Sequence, residues 1–119
     1  MFEGWKYQKV FDHFLKICEI PHGSYHEEAL SNYVYRFAVS RGFTALQDAY
    51  QNVFVRIPAT KGREEEPPCL LQGHLDMVCE KNDDVSHDFL TDPIRVRIEG
   101  DWLRAEGTTL GGDDGIAVA

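Results

Sequence analysis

Basic residues, cysteines and long apolar runs are all scarce in this sequence. The 119 residues hold 12 Lys and Arg against 20 Asp and Glu. We therefore expect no binding to nucleic acid or to an anionic membrane, because both select basic patches. The three cysteines, Cys18, Cys69 and Cys79, lie in apolar surroundings and show no Cys-x-x-Cys spacing, so we expect buried free thiols in a reducing compartment. No apolar run approaches membrane-spanning length and the first residues have no signal-like stretch, so the expected location is the cytoplasm.

Several common enzyme motifs are absent as well. The sequence has no Ser or Cys nucleophile motif and no glycine-rich loop of the kind that binds phosphates. The hydrophobic fraction of 43% and the charged fraction of 27% are ordinary for a globular protein. The length is sufficient for one domain with its own core.

Two amphipathic helices are predicted at the start of the chain. Apolar residues at helical spacing place the first from about Tyr7 to Glu19, and Pro21 ends it. The second is predicted to follow a capping box formed by Ser24 and Glu27, and to end at Gly42.

The apolar pattern then changes to that of β-strands. Strands are predicted at 43–46, 52–57, 69–73, 94–98 and 102–105. The run 69–73 is continuously apolar, which indicates a central strand buried on both faces, and the last two strands form a β-hairpin. The fold class is therefore α/β, with two helices followed by a mixed β-sheet. The sequence stops in the first turn of an apolar helix at 116–119, so we expect residues 1–119 to be the N-terminal fragment of a longer domain.

His74 and Asp76 come directly after the predicted central strand. In extended backbone, residues i and i+2 project to the same side, so the imidazole and the carboxylate are expected side by side. A carboxylate that accepts one ring N–H fixes the tautomer and directs the other nitrogen at a cation. The carboxyl edge of the sheet is also where α/β proteins bind ligands. The alternative is a hydrogen-bonded histidine at a strand end, without a metal.

Asp113 lies in the second candidate stretch, Gly-Gly-Asp-Asp-Gly at 111–115. Glycines let a backbone approach a pair of metal ions, and the two oxygens of a carboxylate can bind one cation each. Asp114 would then cap the following helix. The alternative is a turn and a helix N-cap with no metal function. We predict that His74 and Asp113 converge at one edge of the sheet.

The other histidines and an acidic loop are weaker candidates. His13, His22, His26 and His87, like Asp83 and Asp84, are expected to be structural or solvated.

Three segments together resemble one enzyme family: Trp5–Pro21, Leu70–Val78 and Thr108–Ile116. They are similar to the N-terminal part of the aminoacyl-histidine (Xaa-His) dipeptidases, also called cytosol non-specific dipeptidases, a branch of the co-catalytic zinc metallopeptidases. The resemblance runs along essentially the whole chain, and its two motifs are 39 residues apart, from His74 to Asp113. It implies that residues 1–119 form the N-terminal part of a zinc-peptidase-like catalytic domain.

The resemblance also implies a role for each site residue. His74 would bind one zinc, and Asp76 would be the catalytic residue that orients and polarises the His74 imidazole. Asp113 would bridge two zincs. The peptide between Asp113 and Asp114 would be cis. Two positions depart from the usual pattern, Gly112 where Ala is common and Asp114 where Asn is frequent. The second leaves a sister enzyme open, such as a tripeptidase or an aminoacylase.

The expected parent protein is a cytoplasmic dinuclear zinc dipeptidase that hydrolyses short peptides, including Xaa-His dipeptides. Cobalt or manganese are the alternative metals. In the family, the general base, the remaining ligands and a lid domain all follow the bridging aspartate, so residues 1–119 alone are expected to be inactive. The competing hypothesis is a non-catalytic, truncated fragment that only folds and self-associates as a homo-oligomer.

Overall fold

The computed structural model describes all 119 residues, and its α/β class and two leading helices confirm the prediction. The elements are α1 (Gln8–Cys18), α2 (Glu28–Ser40), β1 (Thr44–Gln47), β2 (Val53–Arg56), β3 (Val96–Glu99), β4 (Trp102–Ala105) and α3 (Gly112–Val118). The chain divides into two compact units, one of 1–30 with 73–119 and one of 31–72. None of the helices has the length and apolar character needed to cross a membrane.

The first unit is built around the apolar face of α1. Its core cluster consists of Phe14, Cys18, Met77 and Ile94. The backbone N–H of Ile94 donates to the carbonyl of Cys18 at 2.8 Å, which attaches the segment leading into β3 to the end of α1. A Cβ on Gly115 would lie 3.1 Å from the Phe14 ring, so α3 packs closely against α1. The core therefore holds α3, which carries the second candidate motif, against the first helix.

The second unit contains most of α2 and the β1–β2 hairpin. Gly42 has a φ of 80°, its N–H donates to Val39, and the N–H of Phe43 donates to Ala38. This is a Schellman C-cap, and it confirms the predicted end of α2. The buried Ser31 hydroxyl donates to the carbonyl of Gln51 at 2.7 Å, which joins the helix to the turn of the hairpin.

The strands differ in arrangement from the single mixed sheet that we expected. They form two separate antiparallel pairs, β1 with β2 and β3 with β4. The predicted central strand 69–73 has no regular structure, and Leu70 and Leu71 are 79% and 90% exposed. Cys69 is exposed as well, so the expectation of buried thiols is wrong for this cysteine. A strand buried on both faces needs neighbouring strands for its hydrogen bonds and packed elements on each face. No segment among the 119 residues supplies them.

The predicted capping box is also wrong. The second helix, α2, begins at Glu28, four residues after Ser24. The Glu27 carboxylate accepts the N–H of Tyr25 at 2.7 Å, and Tyr25 has a left-handed φ of 69°. This turn separates Ser24 from the helix, and the Ser24 hydroxyl donates to Asp76 instead.

Candidate metal centre

The His74 imidazole lies between two carboxylates. Its Nδ1 is 3.1 Å from Asp76 Oδ1 and 3.0 Å from the Asp76 carbonyl oxygen, while Nε2 is 3.1 Å from Asp113 Oδ1. His74 and Asp76 therefore lie side by side as expected, although their segment is not a strand. The structure also brings Asp113 to His74 across 39 residues of sequence.

The backbone of His74 is fixed by Asp114. The N–H of His74 donates to Asp114 Oδ2 at 3.2 Å. A Cβ on Gly73 would lie only 2.6 Å from the same oxygen, so the absence of a side chain at Gly73 permits this contact. The expectation that Asp114 caps the helix is wrong, because Gly111 is the N-cap and no side chain caps α3. The carboxylate of Asp114 instead holds the chain just before the imidazole.

The backbone around Asp113 departs from helical geometry and turns its side chain outward. Gly111 has a φ of 73°, and Asp113, at φ −94° and ψ 109°, is not helical although it lies within α3. The Asp113–Asp114 peptide is cis, as the resemblance implies. The Asp113 side chain is 97% exposed, which leaves its second carboxylate oxygen accessible.

The charges in this cluster stabilise one another. The hydrogen bond that His74 donates to the Asp113 carboxylate is the main cause that raises the pKa of His74, and Asp76 adds to it. The hydrogen bond from Ser24 is the main cause that lowers the pKa of Asp76, followed by the bond from His74. The protonated form of the His74 imidazole is thus favoured. Because a metal ligand must give up its proton, a cation and a proton would compete for His74 Nε2.

The geometry fits a pair of zinc ligands. Zinc prefers imidazole nitrogen and carboxylate oxygen at about 2.0–2.2 Å, so two such ligands at a tetrahedral angle are about 3.3 Å apart. His74 Nε2 and Asp113 Oδ1 are 3.1 Å apart. No group of three or more His, Cys, Asp or Glu side chains in the 119 residues is placed to hold a metal. A zinc ion held by this pair would therefore need further ligands.

Comparison with known proteins finds two dipeptidases that are similar to this chain over part of their length. No family model matches it. It is 51% identical over 112 residues, or 94% of its length, to the cytosol non-specific dipeptidase of Escherichia coli (strain K12). Its structure matches the crystal structure of aminoacylhistidine dipeptidase from Vibrio alginolyticus with a TM-score of 0.92 and 46% identity over 98% of the chain. The chain is homologous to part of these dipeptidases. It spans 23% of the Escherichia coli protein and 24% of the Vibrio chain, about a quarter of each.

In this relative of the dipeptidases, the structure adds three residues to the candidate centre that were not predicted there from the sequence. Ser24 contacts Asp76, Asp114 contacts the backbone of His74, and Gly73 makes room for Asp114. The glycine directly before the histidine was a usable signal for close packing. Ser24 carried no such signal, since it lies 52 residues from its partner and resembles a helix cap.

The weaker candidates among the histidines do not join the centre. His22 is only 3% exposed, and its Nδ1 is 2.6 Å from the carbonyl of Ile20. Burial lowers the pKa of the His22 imidazole. The ring of His87 packs edge-on against Phe89 at 4.5 Å. Both contacts are structural, as expected for these two positions.

Proposed function

We propose that the protein carrying this sequence is a dinuclear zinc dipeptidase that hydrolyses short peptides, including Xaa-His dipeptides, in the cytoplasm. The observation that supports this most is the approach of His74 Nε2 to Asp113 Oδ1, with Asp76 on the other ring nitrogen. The two relatives are named as dipeptidases, which makes peptide hydrolysis the reaction to test.

Each side chain has a distinct role in this proposal. His74 would bind one zinc through Nε2, and Asp113 would bridge the two zincs through its carboxylate. Asp76 accepts a hydrogen bond from Nδ1–H, which favours the His74 tautomer that leaves Nε2 free to bind metal. Zinc supplies Lewis acidity, which polarises a scissile carbonyl and makes water a stronger nucleophile at neutral pH.

The 119 residues alone are proposed to be inactive. A catalytic zinc is held by about three protein ligands, whereas His74 and Asp113 offer two side chains to one zinc and one to the other. No other cluster of metal-binding side chains stands near them. The remaining ligands and the general base would come from residues outside this sequence, because the chain spans about a quarter of its relatives.

Hydrolysis of an Xaa-His dipeptide by the complete gene product tests the proposal. We expect turnover with two zinc ions per molecule, loss of turnover on chelation, and no turnover by the 119-residue chain. His74→Ala or Asp113→Asn should reduce activity by more than about 100-fold, beyond the 10–100-fold typical of residues that only support a ligand. Asp84→Asn, the same change in an exposed loop, is the control. Full activity and full zinc content in Asp113→Asn would refute the bridging role.

One observation favours a second candidate, the self-associating fragment. Leu70 and Leu71 are exposed in a segment without regular structure, and adjacent exposed apolar residues promote association. Light scattering on the 119-residue chain would detect the oligomer, and Leu71→Asp should dissociate it. Turnover by the complete gene product would favour the dipeptidase, and its absence together with a stable oligomer would favour the fragment.

A further inference from the structure

Ser24 makes the third polar contact around Asp76. Its hydroxyl donates to Asp76 Oδ2 at 2.5 Å, while Asp76 Oδ1 is the oxygen that faces His74 Nδ1. Each carboxylate oxygen therefore has a different protein partner. A carboxylate held at both oxygens cannot rotate about its last bond without losing one of them. Ser24 thus limits the orientations available to the group that orients the histidine.

Backbone hydrogen bonds place the Ser24 hydroxyl beside the Asp76 carboxylate. The N–H of Met77 donates to the carbonyl of His22 at 3.0 Å, and the N–H of Ser24 donates to the carbonyl of Met77 at 3.3 Å. These bonds form a parallel bridge between Gly23 and Met77. The segment after α1 therefore lies in register beside the segment that carries Asp76.

Gly23 makes this approach possible. A Cβ there would lie 2.6 Å from the Cys79 sulfur, so a larger residue would push the two segments apart. Ser24 itself is exposed. A serine hydroxyl attached to the backbone donates its hydrogen bond to the carboxylate from a fixed direction, whereas a water molecule in the same place does not.

We propose that Ser24 is a positioning residue for the candidate metal centre, which acts through Asp76 to hold the His74 imidazole in one orientation and to favour the tautomer with the proton on Nδ1. The chain of contacts runs from the Ser24 hydroxyl to Asp76 Oδ2, and from Asp76 Oδ1 to His74 Nδ1. The inference rests on the proposed zinc-binding role of His74, but its effect on the imidazole exists without metal.

Two measurements on Ser24→Ala test this role. In the metal-free 119-residue chain, Asp76 Oδ1 faces Nδ1 and Asp113 Oδ1 faces Nε2, so nitrogen-15 NMR of neutral His74 in Ser24→Ala should show a smaller fraction with the proton on Nδ1. In the complete gene product, the zinc dissociation constant should rise about three- to tenfold, less than the 10–100-fold expected for loss of a direct partner of a ligand. Ser24→Thr keeps the hydroxyl and should restore both, and Ser86→Ala, an exposed serine without a side-chain partner, should change neither.

Coupling to Asp76 separates positioning from a general structural effect. In an Asp76→Ala background, which has no side-chain acceptor for the hydroxyl, Ser24→Ala should cause no further rise in the zinc dissociation constant. Equal effects in both backgrounds, an unchanged tautomer in Ser24→Ala, or failure of Ser24→Thr to restore it would each overturn the proposal. If the complete gene product binds no zinc, the proposed function fails. The NMR measurement of the His74 tautomer in the metal-free chain would still test the role of Ser24.

Discussion

Replacing Gly73 with alanine should disturb the candidate metal centre more than it disturbs stability. The new Cβ would lie 2.6 Å from Asp114 Oδ2, whereas such contacts are essentially never shorter than 3.0 Å. If the carboxylate retreats by roughly 0.4 Å, its 3.2 Å bond from the His74 N–H lengthens to roughly 3.6 Å and no longer counts as a hydrogen bond. Loss of an exposed bond of this kind costs about 1 kcal/mol, and the reduced freedom of the unfolded chain offsets about 0.4–1 kcal/mol.

Urea unfolding and zinc binding together check this reasoning. The free energy of unfolding of Gly73→Ala, followed by tryptophan fluorescence, should fall by no more than about 1 kcal/mol. The amide resonance of His74 should shift, and the complete gene product should bind zinc more weakly. Gly112→Ala is the matched control, because nothing lies within 4 Å of its Cβ, and it should stabilise the chain by about 0.4–1 kcal/mol. An unchanged His74 amide and unchanged zinc binding in Gly73→Ala would refute the idea that Asp114 fixes the histidine.

Three further outcomes are expected from the same structure. Asp114→Asn should leave zinc binding of the complete gene product nearly unchanged, since an amide oxygen can also accept the His74 N–H, whereas Asp114→Ala should weaken it. Burial raises the pKa of the Cys18 thiol to about 12, so Cys18 should react with a disulfide reagent only on unfolding. The exposed Cys69 should react at once, and the Cys69→Ser variant should lack this fast phase of the reaction. Burial lowers the pKa of His22 below 6.5, so the unfolded chain takes up the proton first and the free energy of unfolding should fall as pH drops below 6.5; a His22→Gln variant should show a smaller fall.

The sequence was sufficient for the elements whose signals are local. The helical spacing of α1, the glycine that ends α2 and the turn of the β3–β4 hairpin are each decided within a few residues. The approach of His74 to Asp113 was also predictable, through the combination of two motifs rather than through either one.

Contacts that depend on distant partners were not predictable in the same way. Residues 69–73 have the composition of a buried strand, but composition does not reveal whether neighbouring strands are present to pair with it. The Ser24 hydroxyl could bond to its own helix or to a distant carboxylate, and only the fold selects the second. The role of Asp114 was missed for a related reason, since capping residues and residues that contact another segment have the same chemical character.

The long sequence separations within the candidate metal centre have a consequence for the order of folding. Ser24 meets Asp76 across 52 residues, and His74 meets Asp113 across 39, whereas the β1–β2 hairpin closes within a short loop. Closing a long loop costs entropy before its contacts contribute any stabilisation, so such contacts slow folding and are completed late. The hairpin is therefore expected to gain its hydrogen bonds early, and the imidazole to reach its carboxylates among the final steps.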